Sequence, residues 1–537
     1  MPANRLIVRG GPIVTLDPVH PTPEAMVIER GHIMALGTVD QLDAEWGRGA
    51  ELLDLEGRAV IPGLTDSHLH LLSYGLVLEQ VGLAGVKSVA ELCDRVGAAA
   101  RAAQKSDDWI LGRGWDQDML VEHRYPNRYD LDAVAGGRPV LLVRSCGHCS
   151  VVSSRALELA GITAATADPP GGQIERDPAT GEPTGILHET AAGLVRVIVP
   201  PPSYSAKRRG LAKAFRLALS AGLTACHPDD VRNAGDFATA WQLYHETLSE
   251  TGGPRIRAEV SDFAIDQPLS IGMRTGSGDR MLSVGAMKSF VDGSLGARSA
   301  ALTEPYSDGP GCGILVRDRT EFMATVARAH AAGMQVAVHA IGDLGVDWAL
   351  DAIAAAQAAR PGLSLRHRVV HAQITRPDQL PRFVQLGAVA EIQPKFVTTD
   401  KLWVESRIGA ARARHSYCWK TMLDAGVKLA GGSDGPVEPL HPLLGIYAAV
   451  TREGMDGGPA DGWLPSERLT VDQAVRLFAV GGAYAAGQES WRGRLSPGMV
   501  ADFVVLDHSP YMVAPQSIKD IEVEMTFVAG RPLFVRT

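Results

Sequence analysis

The sequence has few cysteines and no long apolar run, and both deficits narrow the class of protein. Six cysteines in 537 residues are too few for a disulfide framework. No run of 18 apolar residues occurs, so we expect no membrane-spanning helix. The first residues, Met1 to Leu6, lack the basic and apolar regions of a signal peptide. These features predict a cytoplasmic protein.

An excess of basic charge is also missing. The formal net charge is -9, with both signs mixed along the chain, which argues against nucleic acid or an anionic membrane as the main partner. Apolar residues make up 45% and charged residues 21% of the chain, as in an ordinary globular enzyme. At 537 residues the chain exceeds one ordinary domain, which predicts a large catalytic domain with accessory domains.

One pair of cysteines has the spacing of a redox or zinc motif. Cys146 and Cys149 flank His148 in a Cys-x-x-Cys arrangement. The chain offers no second such pair to complete a structural zinc site. We therefore favour reduced thiols in a core over a redox or zinc role.

Short β-branched runs occur at both ends of the chain. At the start they cover 6–8, 13–16, 26–28 and 31–37, and near the end 501–506 and 526–530. Two β-rich termini around an α/β centre predict one small, discontinuous, sandwich-like β-domain. We assign residues 1–60 and 485–537 to it.

Between these ends, apolar β-branched runs alternate with Ala-rich helical patterns, as in βα units with a parallel sheet. Eight candidate strands are present, the number that a closed (β/α)8 TIM barrel requires. We therefore predict a metal-dependent barrel over residues 61–484. Thr470 and Gln473 have capping-box spacing at the start of a helix after the eighth strand. The candidate strands are 60–66, 223–226, 255–260, 285–290, 335–338, 368–370, 388–392 and 427–430.

The segment between the first two strands is far too long for a βα loop. It contains its own strand candidate, 139–144, and helical patterns. We interpret 71–207 as an inserted subdomain, which we expect on the catalytic face because βα loops emerge there.

Four histidines and one aspartate follow predicted barrel strands. His68 and His70 are two residues apart after the first strand, so both imidazoles face the same side. His339 and His371 end the fifth and sixth strands, and Asp434 follows the eighth. Barrel enzymes hold their sites at the carboxyl ends of strands, and this ligand set suits zinc and its neighbours. The pattern predicts a metal site.

Lys288 ends the fourth predicted strand. It is either an ordinary surface or ion-paired lysine or a member of the metal site. An ammonium group inside a cationic site would be repelled, so in the second case Lys288 has to be neutral or converted into an anion.

Several motifs carry a resemblance to a known family. The first strand region resembles the opening signature of the amidohydrolase superfamily, and a segment near the end resembles its closing signature. Within that superfamily the chain resembles amidohydrolase family 3, which includes the N-substituted formamide deformylases, over nearly its whole length. The motifs are VIPGLTDSHLH at 60–70, GWD at 114–116, GHCSVVSSRAL at 147–157, KSFVDGSLGARS at 288–299, GSDGP at 432–436 and GRLSPGMVADFVVLD at 493–507.

The resemblance implies a role for each residue of the constellation. One or two divalent ions, expected to be Zn²⁺, would be bound by four histidines and by Lys288, which in the family is N-carboxylated and bridges two metals. Asp434 would be the catalytic acid/base. The implied metal ligands are His68, His70, Lys288, His339 and His371.

One motif departs from the expected pattern. After the second strand the chain reads Cys226-His227-Pro228-Asp229, where the family pattern has aspartate directly after histidine. This puts a supporting role for Asp229 in doubt. His227 itself is a candidate substrate contact.

The predicted reaction is hydrolysis of a carbon–nitrogen bond in a non-peptide linear amide, with an N-formyl or N-acyl group. Trp115 and His148 of the inserted segment and Phe396 and Trp403 of the seventh βα loop are candidate substrate contacts. Tyr417 and Trp419, which follow in the same region, suggest an apolar pocket together with Trp403. We expect a small-molecule amide as the partner and a homo-oligomer, a dimer, as the assembly.

Two alternatives stay open at this point. A deaminase acting on a heterocycle would use one metal and a glutamate shortly after the fifth-strand histidine, where this chain offers only Asp343. A non-catalytic barrel scaffold should have lost metal ligands, whereas here every expected position is filled.

Overall fold

The computed structural model describes residues 5–103, 105, 107–145 and 148–537. The chain forms two compact units, one of residues 75–210 and one of the residues up to 74 together with 211–537. Within the described ranges, no helix is both long enough and apolar enough to cross a membrane.

The larger unit contains a sheet of eight parallel strands in which each strand pairs with the next one along the chain. This confirms the predicted (β/α)8 barrel. The strands are β1 Leu64–Leu69, β2 Leu223–Pro228, β3 Arg255–Ser261, β4 Leu282–Phe290, β5 Val336–Ala340, β6 Arg368–His371, β7 Val389–Ile392 and β8 Lys428–Gly431.

Helices alternate with these strands, and side chains cap several of them. The Asp236 and Asp318 carboxylates accept from backbone N–H groups at helix starts. The predicted capping box of Thr470 and Gln473 is confirmed. The main helices are Tyr204–Ser220, Phe237–Thr251, Arg319–Ala331, Asp343–Ala359, Leu380–Leu386, Val404–Ala413, Trp419–Asp424, Pro442–Thr451 and Val471–Arg476.

The first predicted strand, 60–66, is divided between two sheets. Ala59–Pro62 pairs with Phe503–Leu506, whereas β1 begins at Leu64. Gly63 lies between them, and a Cβ atom there would be 2.3 Å from Thr224 Oγ1. Only glycine permits this close approach of β1 to β2.

Two further four-stranded sheets are built from the chain ends, and one apolar core contains residues of both. Phe503 and Phe527 stack at 4.2 Å within that core, which Val8 and Met26 also enter. The strands, in sheet order, are His32–Gly37, Ala25–Glu29, Arg5–Arg9 and Glu51–Asp54, then Arg531–Val535, Val523–Val528, Phe503–Leu506 and Ala59–Pro62.

The predicted strand at 13–16 is wrong. Ile13 makes only an isolated bridge to Val60. Leu16 has a φ of 59°, so the chain leaves the extended conformation there.

The smaller unit has its own six-stranded sheet and apolar core. The strand candidate 139–144 corresponds to Val140–Arg144. Cys149 is buried in this core, while Cys146 lies outside the described residues. The strands, in sheet order, are Gly172–Arg176, Pro183–Glu189, Cys149–Val152, Val140–Arg144, Ile110–Trp115 and Val81–Gly82, with helices Val89–Ala102 and Arg128–Ala135.

Candidate metal centre

Two imidazoles and one carboxylate converge at the carboxyl ends of β1 and β8. Asp434 Oδ1 lies 3.5 Å from His68 Nε2 and 3.3 Å from His70 Nε2. Their potential ligand atoms all fall within 4.8 Å of one another. This is the spacing of groups that share one cation.

The other two predicted histidines join the same cluster. The rings of His339 and His371 are 4.5 Å apart, and the His371 ring is 5.5 Å from that of His68. The structure therefore brings all four predicted imidazoles together at one end of the barrel.

Hydrogen bonds outside the cluster engage one nitrogen on three of these rings, and the other nitrogen of each ring faces the cluster. Such a bond fixes the tautomer and the orientation of an imidazole that binds metal. The donors and acceptors are His70 Nδ1 with the Asp229 carbonyl at 2.8 Å, His371 Nδ1 with Gln393 Oε1 at 2.7 Å and His339 Nε2 with the Gly293 carbonyl at 3.1 Å.

Burial keeps most of these rings neutral. It lowers the pKa of His339 to about 3 and holds the pKa values of His68 and His371 well below their usual range, with the nearby Lys288 adding to the effect. His70 differs. Burial also lowers its pKa, but the Asp434 carboxylate outweighs burial and raises that pKa to about 9. Because a metal binds neutral imidazole, three of the four rings are in the binding form at pH 7.

Lys288 lies inside the cluster. Its Nζ is 3.5 Å from His68 Nε2, and its side chain has no exposed surface. Within the described part of the chain, no carboxylate lies within 4.0 Å of this nitrogen. Burial lowers its pKa. An exposed or ion-paired lysine is therefore excluded.

A carboxylate joins the ends of β1 and β8, where the described residues show no backbone ladder between the two strands. Asp66 accepts from Ser433 N at 3.0 Å and from Ser433 Oγ at 2.5 Å. Beside it, Asp434 N donates to the His68 carbonyl at 2.8 Å. These bonds fix the position of Asp434 relative to the two histidines of β1.

The backbone is strained at two of the candidate residues. His371 has a φ of 75° and Asp434 a φ of 57°, in the left-handed region that residues other than glycine rarely occupy. Such strain concentrates at functional sites, where the surrounding structure holds a side chain in a required direction.

Three groups that hold the cluster were not among the predicted site residues: Asp66, Gln393 and the Gly293 carbonyl. Gln393 directly follows β7 and Asp66 lies in the opening motif, so the position of each residue in the sequence could have indicated a place near the site. Asp229 does support the site, yet through its carbonyl oxygen to His70, while its carboxylate accepts from Ser261 Oγ at 3.1 Å. The atypical motif therefore keeps one supporting contact.

Two predicted substrate contacts lie in the larger unit near the cluster. The Phe396 ring is parallel to the His371 ring, with centres 6.2 Å apart. The Trp403 indole borders Gly296, in the loop after β4. Their role in substrate binding stays a prediction.

The expected pocket wall of Tyr417 and Trp419 is wrong. Both side chains are buried, and their rings are 6.1 Å apart edge to face. The Tyr417 hydroxyl donates to Asp400 Oδ2 at 2.6 Å, and the Arg452 guanidinium covers Trp419. These aromatic groups are committed to packing.

His227 is buried in the barrel interior. Its Nε2 accepts from Arg492 at 3.5 Å. No contact between His227 and the four clustered imidazoles is found among the described residues. Its assignment as a substrate contact stays a prediction.

The two predicted contacts in the smaller unit differ from each other. Trp115 is fully buried in the core of that unit, and its indole N–H donates to the Leu142 carbonyl at 3.1 Å. His148 is exposed, and its Nδ1 is 2.9 Å from Glu189 Oε2. Packing accounts for Trp115, and substrate binding by either residue stays a prediction.

Asp343, the acid nearest in sequence to His339, is already engaged. It accepts from Thr303 N at 3.0 Å and from Arg376 at 3.0 Å. It therefore does not fill the place of the glutamate that a heterocycle deaminase would use.

The comparisons with known proteins agree with the geometry of this cluster. Residues 51–534 match the model of the amidohydrolase family. The chain belongs to the amidohydrolase family. It is thus an enzyme, a metal-dependent hydrolase of carbon–nitrogen bonds, and not a barrel scaffold.

Relatives support this assignment over the full length. The protein YtcJ of Bacillus subtilis (strain 168), named as an amidohydrolase, is 34% identical over 99% of this chain and 100% of its own. The N-substituted formamide deformylase of Arthrobacter pascens is 29% identical over 99% of this chain and 98% of its own. A solved structure of an uncharacterized metal-dependent hydrolase from Pyrococcus furiosus has a TM-score of 0.76, with 32% identity over 94% of this chain and 100% of that one.

Proposed function

We propose that this amidohydrolase cleaves a non-peptide linear amide, one with an N-formyl or N-acyl group, and that Asp434 is its general acid/base. The position of Asp434 carries the proposal, since Oδ1 lies 3.3 Å from His70 Nε2 and 3.5 Å from His68 Nε2. The full-length similarity to an N-substituted formamide deformylase supports the substrate class.

The donor set fits one or two divalent ions, of which zinc is the best match in ligand chemistry. The holding residues would be His68, His70, His339 and His371, with Lys288 between them as a carbamate. When bound, such an ion supplies an activated water at neutral pH and polarises a carbonyl.

Asp434 is suited to move the proton. Its side chain is 12% exposed, so one face reaches the substrate side while backbone bonds to β1 hold the residue in place. The carboxylate takes a proton from the attacking water and then donates it to the nitrogen of the leaving amine. Phe396, stacked on His371, supplies an apolar surface for the acyl group, and Trp403, beside Gly296, is the second aromatic group that we assign to substrate binding. The predicted homodimer and cytoplasmic location stay predictions.

The decisive experiment replaces Asp434 by asparagine. Asp434→Asn keeps the size of the side chain and removes the base, so we expect kcat toward N-formyl and N-acyl amides to fall by about 10²–10⁴-fold. Metal content and thermal stability should stay near those of the wild type. Steady-state kinetics, metal analysis and thermal unfolding measure the three quantities.

Asp424→Asn is the matched control, because Asp424 is an exposed carboxylate paired with Lys420. Its kcat should be unchanged. A folded, metal-replete Asp434→Asn enzyme that keeps most of its kcat would remove Asp434 from the mechanism. A wild-type enzyme that ignores linear amides but releases ammonia from heterocycles would overturn the substrate class.

Lys288 provides a second test of the same centre. The Nζ amine would attack carbon dioxide, forming a carbamate N–C bond and releasing a proton to solvent. We expect a carbamate resonance in carbon-13 NMR after exchange with labelled bicarbonate. Lys288→Ala should lose this signal and part of the metal, with partial rescue by small carboxylates, whereas Lys420→Ala should retain both. Full metal content in Lys288→Ala would exclude the lysine from the centre.

A further inference from the structure

A cavity lies at the opposite end of the barrel from the metal cluster. Its volume is about 240 Å³. Thr275, Gln335, Ser364 and Arg366 line it from segments that lead into β4, β5 and β6, and Arg257 lines it from within β3. Segments that enter parallel strands lie at the amino ends of those strands, whereas the metal cluster lies at the carboxyl ends.

Arg257 is the unusual residue of this cavity. It is 7% exposed, and its Nε has no hydrogen-bond partner. Among the described residues, no carboxylate lies within 4.0 Å of its guanidinium. Because Nε is buried, the remaining exposure lies on the rest of the side chain, which borders the cavity.

Arg255, two residues before Arg257, and Arg366, in the same lining, each have a carboxylate partner. Arg255 makes two bonds to Asp502, at 2.7 and 2.9 Å, and Arg366 makes two to Glu489, at 2.7 and 2.5 Å. A carboxylate thus balances each of these buried or half-buried guanidinium groups, but not Arg257.

Glu259, two residues along β3, offsets only part of the cost of burying Arg257, and the described residues show no ion pair between the two. Its Oε1 already accepts from Arg368. Burial and the like charge of Arg368 lower the pKa of Arg257 to about 10, so the group still carries its proton at pH 7. A buried charge without a partner is costly, and a bound anion would remove that cost.

We propose that this cavity binds a small oxyanion, a phosphate or a carboxylate, through the Arg257 guanidinium. A guanidinium forms paired bonds with either group, and Ser364 contributes a hydroxyl group to the same lining. The Thr275 hydroxyl is engaged by the backbone, since it donates to the Gly285 carbonyl and accepts from Gln335 N. The volume admits an ion of this size with a few waters, since one water takes about 30 Å³, but not a drug-sized molecule.

The test uses the metal-loaded enzyme, dialysed into an oxyanion-free buffer at constant ionic strength. Inorganic phosphate and acetate are titrated separately, and binding is followed by equilibrium dialysis and by the midpoint of thermal unfolding. We expect one ion per chain to depend on Arg257 and to raise the midpoint by about 2 °C at a hundredfold excess over its dissociation constant.

Three variants separate this cavity from the metal centre, which also attracts oxyanions. Arg257→Gln should weaken the cavity ion at least about tenfold, the value of one charge-assisted hydrogen bond. Arg257→Lys, which keeps the charge without the paired geometry, should weaken it less. Arg414→Gln, which removes an exposed arginine, should match the wild type. Oxyanion that binds at the metal centre should be the same in the wild type and in all three variants, because none of them changes a residue of the metal cluster.

The two anions distinguish the kinds of ligand. Tighter binding of phosphate indicates a tetrahedral phosphate group, and tighter binding of acetate indicates a planar carboxylate group. The proposal is overturned if wild type and Arg257→Gln bind the same number of ions with the same affinity. It is equally overturned if chloride at matched ionic strength gives the same thermal shift. If Arg257→Gln does not fold, Arg257→Lys takes its place in the same dialysis, and an affinity equal to that of the wild type overturns the proposal.

Discussion

Buried polar side chains have different partners at the carboxyl ends of the barrel strands and in the middle of the barrel. At the carboxyl ends, His70, His339 and His371 each have one nitrogen engaged and one directed to a shared centre. In the middle of the barrel, the Arg368 guanidinium lies between the carboxylates of Glu259 and Glu391. The distance from its Nη1 to Glu391 Oε1 is 2.6 Å. In the first arrangement each ring keeps one nitrogen for the shared centre, whereas in the second each buried carboxylate is paired with a guanidinium group. Changes in the two regions should therefore affect different properties.

The largest effect is expected where two ligands are removed at once. His68→Ala combined with His70→Ala should lose most of the metal and nearly all activity, because two converging nitrogens vanish from one centre. The fold should persist, since the barrel ladder does not depend on these side chains. Metal analysis and circular dichroism measure both outcomes, with His20→Ala and His508→Ala combined as an exposed control. Full metal content in the cluster variant would contradict the assignment of β1.

Arg368→Met tests the paired region. It leaves two carboxylates buried without their partner, which costs about 3–5 kcal/mol in the free energy of unfolding. Arg319→Met, which breaks an exposed pair with Asp351, should cost at most about 1 kcal/mol. Denaturant unfolding compares the two variants. Equal losses would show that the buried triad does not stabilise the barrel.

A smaller and more selective effect is expected at Gln393. Gln393→Ala leaves His371 Nδ1 without its acceptor, so metal affinity should fall by about 10–100-fold. Gln393→Glu retains an acceptor and should restore most of the affinity. Competition with a chelator measures both variants. An unchanged affinity in the alanine variant would show that the hydrogen bond does not orient the ring.

Much of the barrel and its four histidines was predictable because strand periodicity and strand ends are local features. Each histidine ends or follows a run of β-branched residues, and parallel strands bring such ends together. Lys288 was predictable as a position but not as a buried, unpaired amine, since burial depends on neighbours distant in sequence.

Other features required the tertiary structure. The division of 60–66 between two sheets depends on the contact of Gly63 with Thr224, which lie far apart in the sequence. Tyr417 and Trp419 had the composition of a pocket wall, yet Asp400 and Arg452 hold them in the interior. Aromatic side chains do not reveal from sequence whether they face a ligand or a core.

The bond between Asp66 and Ser433 also bears on how the site forms during folding. These partners are 367 positions apart, so the two ends of the strand succession meet only after nearly the whole barrel sequence is available. Contacts of such long range form late, because closing the intervening chain costs entropy that local contacts avoid. A nascent chain that still lacks β8 has His68 and His70 but no Asp434 beside them. We expect proton transfer to become possible only in the completed barrel, which couples the onset of activity to the last strand.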